Sequence, residues 1–290
     1  MKFGIVPINL REFTNPETLI PFVTRAEALG YESVWTAEHV IIPKNYDSIY
    51  PYNPSGKLAF RPNEPIIDPL VALTFIASST KTLRLGTGVN VLPQTNPLYL
   101  AKWASSIDHL SRGRLMLGLG IGWLREEFRA IGVSFDRRGS RSNEYLEALK
   151  LAWTADEVDY HGEFVSWEGF TMEPKPAQAG GVPLVIGGIS PNAVRRAVRY
   201  GDGWYVIGKD LDDYRAHMTL LRDECERQGR DREELEITAY WNFNVEGLQS
   251  LEVYQELGID RLLINMHALR LGNVTEAMEW FGAEVVSKYG

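Results

Sequence analysis

Eight times along this chain a short apolar, β-prone run is followed by a longer amphipathic stretch, and no other feature limits the fold as strongly. The strand runs are Phe3 to Pro7, Ser33 to Thr36, Leu83 to Val89, Leu115 to Gly120, Leu184 to Ile186, Gly203 to Val206, Glu236 to Trp241 and Arg261 to Ile264. The helical stretches open with recognisable starts: Asn15-Pro16, Asp68 as N-cap before Pro69, Asn96-Pro97, Pro191 and Asp210. Others run from Leu124 to Ala130, Ser142 to Trp153, Gly247 to Leu257 and Val274 to Val286. No Gly/Ser linker or charge block divides the 290 residues. The pattern therefore predicts one α/β domain over residues 1–290, a closed (β/α)8 TIM barrel rather than an open doubly wound sheet. The first strand is followed by VPINLRE, which lacks the glycines of a dinucleotide-binding turn.

Two connections exceed an ordinary loop. Residues 40–67, after the second strand, carry Pro43, Pro51, Pro54, Pro62 and Pro65 with Tyr46, Tyr50 and Tyr52, and read as an ordered cover. Residues 131–182, between the fourth and fifth strands, contain VDYHGEFVSWEGF, a hairpin around His161-Gly162. Its base belongs on the N-terminal face unless the hairpin climbs back over the rim.

Composition excludes several function classes. A net charge of −8 leaves no basic stripe for a phosphate backbone, which argues against nucleic acid. The single cysteine, Cys225, excludes an intramolecular disulfide framework and a thiolate metal cage, and fits a reducing compartment. No apolar stretch reaches membrane length, and the run before Arg11 is too short for a signal sequence, so a soluble, cytoplasmic protein is expected.

In a barrel the ligand site is built at the C-terminal ends of the strands. Those positions hold Glu38 and His39 on the second strand, Gly88, Val89 and Asn90 on the third, and Gly120, Gly122, Trp123 and Glu126 on the fourth. The fifth contributes Gly187, Gly188, Ile189 and Ser190 in PLVIGGISPNAVRRA, where two glycines lead into a helix. That turn reads either as an anion site or as a tight connection. RRGSR, residues 137–141, is a dense positive patch in an acidic chain, either a solvated surface or a seat for an anionic cofactor tail. Of five histidines only His39 and His267 fall near strand ends, so no metal-ligand set assembles, and Lys209 is no Schiff-base lysine on a strand.

The segment LRLGTGVNVLPQTNPLYLAKWASSIDHLSRGRLMLGLGIGW, residues 83–123, with WTAEHV before it and VPLVIGG and RYGDGW after it, resembles the luciferase-like monooxygenase superfamily. The likeness is strongest to its coenzyme F420-dependent oxidoreductases. This resemblance implies a barrel, usually a homodimer, that binds a flavin or deazaflavin at the C-terminal face. It implies a non-prolyl cis peptide at or next to Gly88-Val89 against the ring, with Gly120 to Glu126 along the ring and Gly187 to Ser190 receiving the phosphate. His39 corresponds to the histidine beside the redox ring, with Glu38 holding that histidine or the ring's polar edge. Sugar-phosphate dehydrogenases of the group carry a glutamate proton donor where Trp123 stands, which counts against that substrate. With Tyr46, Tyr50 and Tyr52, Trp123 points to an apolar, aromatic pocket. The expected activity is hydride transfer between F420 and a small organic substrate, with no metal. An FMN-dependent monooxygenase and a non-catalytic flavin-binding barrel are the alternatives.

Overall fold

The structure, a computed structural model, describes residues 1–58 and 61–290; residues 59 and 60, inside the expected cover, lie outside the described residues. The strands are β1 (Lys2–Ile5), β2 (Ser33–Thr36), β3 (Arg84–Thr87), β4 (Asn90–Val91), β5 (Leu115–Gly120), β6 (Val158–His161), β7 (Ser166–Phe170), β8 (Leu184–Gly187), β9 (Gly203–Val206), β10 (Glu236–Tyr240) and β11 (Arg261–Ile264). The helices are α1 (Pro16–Ala28), α2 (Pro69–Ser79), α3 (Pro97–Ser111), α4 (Arg125–Ala130), α5 (Arg138–Thr154), α6 (Pro191–Tyr200), α7 (Leu211–Gln228), α8 (Phe243–Glu246), α9 (Ser250–Glu256) and α10 (Val274–Phe281). Parallel pairing runs β1, β2, β3, β5, β8, β9, β10, β11 and returns to β1 through Lys2 opposite Arg261 and Ile5 opposite Ile264, so the sheet closes into the expected (β/α)8 barrel.

The barrel axis is filled rather than open. The Trp35 ring, fully buried, lies inside the strands with Met116, Val185, Tyr205 and Leu263 around it. A Cβ on Gly86 would collide with that ring, which explains why the strand carries glycine there. The outward faces of the strands, such as Val34, Leu85 and Trp204, pack against the helices in the larger core.

Helices start at the mouth of the barrel, where the strands end. Asp68 Oδ1 accepts from the N–H groups of Leu70 and Val71, at 2.9 and 3.0 Å, and Ser190 caps α6 through Ala193 N–H. The β6–β7 hairpin climbs beside α5, and its tip reaches the rim, where Glu163 pairs with Arg137.

Apart from small shifts at element ends, three differences from the sequence expectation stand out. The third run is not one strand: β3 stops at Thr87 and β4 resumes the pairing with β5, while the Gly88-Val89 peptide between them is cis, as the family resemblance implied. Helix α5 begins at Arg138, so most of RRGSR is its first turn and not a loose surface patch. Gly247 has φ of +65° and ends α8, which delays α9 to Ser250.

Candidate active site

Strand β2 ends at Thr36, and the chain turns there, so both Glu38 and His39 border the cavity at the mouth of the barrel. Adjacent side chains on a continuing strand would have pointed to opposite faces. The cavity encloses about 460 Å³, within the usual range for a small-molecule site, roughly 300–1,000 Å³. Its floor is Gly88 and Val89, and its walls include Gly120, Gly122 and Trp123 on one side and Gly187, Gly188, Ile189 and Ser190 on the other. The Val89 side chain is wedged between two glycines: a Cβ on Gly120 would lie 2.6 Å from Val89 Cγ2, and one on Gly187 would lie 2.8 Å from Cγ1. Glycine at both positions is thus required by the side chain that forms the floor.

The polar groups divide into two ends. At one end His39 Nδ1 lies 3.0 Å from Glu127 Oε2, with the two side chains only 8% and 2% exposed. Glu127 Oε1 also accepts from the N–H groups of Val40, at 2.6 Å, and Ile41, at 3.2 Å. Glu38 faces elsewhere: Asn90 Nδ2 donates to its Oε1 at 2.9 Å, and Val91 N–H donates to Oε2. It pins the segment just beyond the cavity floor. Burial, with the nearby charges of Asp68 and Glu127, outweighs the Val91 hydrogen bond and pushes the Glu38 carboxyl up to about 8. A neutral Glu38 has an O–H to donate, and Asn90 Oδ1 is buried without a donor. Rotating the Asn90 amide by half a turn brings the two together.

At the other end Gly188, with φ of +113°, turns the chain into α6 and is held by Trp204 Nε1, which donates to its carbonyl at 2.8 Å. Arg138 borders the cavity and donates from Nε to Gly122 O at 3.1 Å. Behind it Arg196 donates to Asn143 Oδ1 at 2.7 Å and Gly139 O at 3.2 Å. Burial lowers the pKa of both guanidinium groups, and these hydrogen bonds go to amide and carbonyl oxygens. A helix start beside such arginines favours an anion.

The cover is fastened from below. Glu126 does not border the cavity; it accepts from Asp47 N–H at 2.8 Å and Ser48 Oγ at 2.6 Å. Burial alone would raise its pKa, but these bonds outweigh it and hold the carboxyl at about 2. Trp123 sits among Tyr46, Tyr50 and His39, with ring centroids 5.7, 5.1 and 6.0 Å away, all edge to face.

The family model of luciferase-like monooxygenases matches residues 5–247. The chain belongs to this family. It is 31% identical over 280 residues to an uncharacterised protein of Mycobacterium tuberculosis (strain ATCC 25618 / H37Rv), covering 93% of this chain and 94% of that one. It is 29% identical to the F420-dependent glucose-6-phosphate dehydrogenase of Kineococcus radiotolerans, over 82% of this chain and 67% of the other. A match of 33% to the FMNH(2)-dependent dimethylsulfone monooxygenase of Pseudomonas putida spans 46% of this chain and 38% of that protein. Among solved structures, an F420-dependent secondary alcohol dehydrogenase superposes with a TM-score of 0.78 at 16% identity, over 97% of both chains. The monooxygenase RslO1 from Streptomyces bottropensis gives 0.76 at 22%, over the full length of both. These two share the fold.

Within this luciferase-like barrel, the sequence placed most cavity residues on the right loops but missed what holds them. Asn90 supports Glu38 from outside the cavity, and Glu126 fastens the cover. His39 pairs with Glu127, while Glu38 is turned to Asn90 and Val91. Asn9 was also missed; fully buried, it donates to Ala37 O at 2.8 Å and Ile67 O at 2.6 Å, tying both ends of the cover together. The signal for Glu127 was its spacing: it lies three residues after buried Leu124 and next to buried Phe128, so the three share one face at i, i+3 and i+4.

Proposed function

We propose that this luciferase-like barrel is an oxidoreductase that moves a hydride between coenzyme F420 and a small organic substrate of apolar character. The carrying observation is one cavity whose far end has a helix start bordered by Arg138, with Arg196 behind it, and whose near wall is an imidazole backed by a buried carboxylate. The residues fit such a ligand. Gly187 to Ser190 and Arg138 would hold its phosphate, the Val89 floor would carry its ring, and Trp123 with Tyr50 leaves an apolar place for substrate. When bound, a deazaflavin supplies hydride chemistry at its C5. The chain's own part is to orient that ring on Val89, to exclude water with the cover, and to hold a proton at His39. The F420-dependent relative spans much more of this chain than the FMNH(2)-dependent one, which supports F420 over FMN.

Tryptophan quenching in a titration of the ligand-free protein tests the cofactor. Micromolar binding of F420 with much weaker binding of FMN is expected; the reverse preference makes the protein an FMN enzyme, and binding of neither removes the reading. The same reading includes a homodimer, supported by the apolar side chains that α2 and α3 expose, Val71, Phe75, Tyr99, Trp103 and Leu110. Sedimentation velocity at micromolar concentration would show a two-chain species.

A further inference from the structure

We infer that Glu127 is a positioning residue that fixes the tautomer of His39, placing the proton on Nδ1 and the lone pair on Nε2. The use made of this histidine rests on the function proposed above; the tautomer itself does not. Glu127 Oε1 is occupied by the N–H groups of Val40 and Ile41, and Oε2 lies 3.0 Å from His39 Nδ1. A carboxylate offers only acceptors, so in this arrangement Nδ1 is the donor. With the Glu127 side chain 2% exposed, water is a poor substitute for that partner. Glu38, the neighbouring carboxyl, is turned to Asn90 and Val91 and does not compete. Trp123 meets the imidazole edge to face at 84°, which fixes the plane in which the ring lies.

Two consequences follow for chemistry. In its neutral state His39 accepts a proton through Nε2 and has none to give there until it has taken one. The same carboxylate binds the first residues of the cover, so the orientation of the imidazole and the entry of the cover are set by a single side chain on α4. Glu127 touches the histidine and the backbone, which makes it a positioning group rather than a catalytic one.

The test is the tautomer of His39 in ligand-free protein, read by NMR of ¹⁵N-labelled histidine, with His39→Gln identifying the signal. Wild type should show a protonated Nδ1 and an unprotonated Nε2. Glu127→Gln keeps size and shape, but its oxygen stays with Val40 and Ile41 while its NH₂ faces Nδ1. The two nitrogen signals should therefore exchange places. Glu127→Asp, which restores a carboxylate, should return the wild-type pattern. An Nε2-protonated His39 in wild type, or a pattern unmoved by Glu127→Gln, overturns the inference. Failure of the wild type to bind F420 would strike the functional proposal and leave this result standing, because the measurement needs no cofactor.

Discussion

The two ends of the barrel treat buried charge in opposite ways. At the base, Arg261 is 0% exposed and fully partnered: Nε and Nη2 donate to the two oxygens of Glu32, each at 2.7 Å, and Nη1 donates to Glu236 at 2.6 Å and Thr238 Oγ1 at 3.0 Å. Lys2 closes the network from the other side of Glu236. At the mouth, Glu38 sits near two other acids, and Arg138 and Arg196 bond to amides and carbonyls. Charges satisfied by the chain itself stabilise the fold. At the mouth a buried carboxyl is kept neutral and two arginines spend their hydrogen bonds on amides and carbonyls, which adds little to the fold.

That contrast can be broken at either end. The largest effect belongs to the base: Arg261→Ala leaves two carboxylates facing a buried gap and should cost about 3–5 kcal/mol in urea unfolding. A loss below 1 kcal/mol would show that the base network is ornamental. At the mouth the corresponding change should spare stability and remove chemistry. His39→Ala is expected to lower F420-linked turnover at least about 10²-fold with little change in melting temperature, and retained turnover would take His39 out of the reaction. Arg138→Met should weaken F420 binding about tenfold while the urea midpoint of the ligand-free protein stays level. A lower midpoint would place Arg138 with the structural charges of the base.

The smallest effect separates two carboxyl groups by the sign of their shift. Burial acts against the charged form of Glu32, but the Arg261 hydrogen bonds and charge outweigh it and lower its pKa from 4.5, so its stabilisation is present above that pH and is lost as pH falls. Glu38 is raised from 4.5 to about 8, so the folded state holds a proton that the unfolded chain has released. Its contribution is therefore greatest below 4.5 and declines as pH climbs to about 8. Glu38→Gln should gain stability relative to wild type across that window and level off above it. Parallel melting curves at every pH would contradict a neutral Glu38.

How much of this was legible in the sequence depended on the range of the interactions. Ser33 to Thr36, Leu115 to Gly120, Gly203 to Val206 and Arg261 to Ile264 match their strands because each is a short buried run bounded by turn residues. Asp68-Pro69 was readable because a cap acts on its own helix. Periodicity alone carried the third strand through Gly88-Val89, because an apolar run does not show where backbone pairing is interrupted; the cis peptide there was legible only through the family motif. The early start of α5 was hidden by Arg138 and Arg141, polar residues that are partly or wholly covered by neighbouring elements. Strand-end residues of the site were legible because barrel geometry sends them to one face. Glu127 was not, because its partner lies 88 positions away and REEFRA reads as a solvated charged turn.

Trp35 and Arg261 stop the barrel from below, and this has a consequence for traffic. Ligands cannot pass through along the axis, so arrival and departure share the doorway under the cover. On the proposed function, a cofactor ring resting on Val89 would lie deeper than a substrate beside Trp123, and would be the first in and the last out. An ordered sequence of binding would then follow from the packing of Trp35 and its neighbours, which no ligand needs to touch.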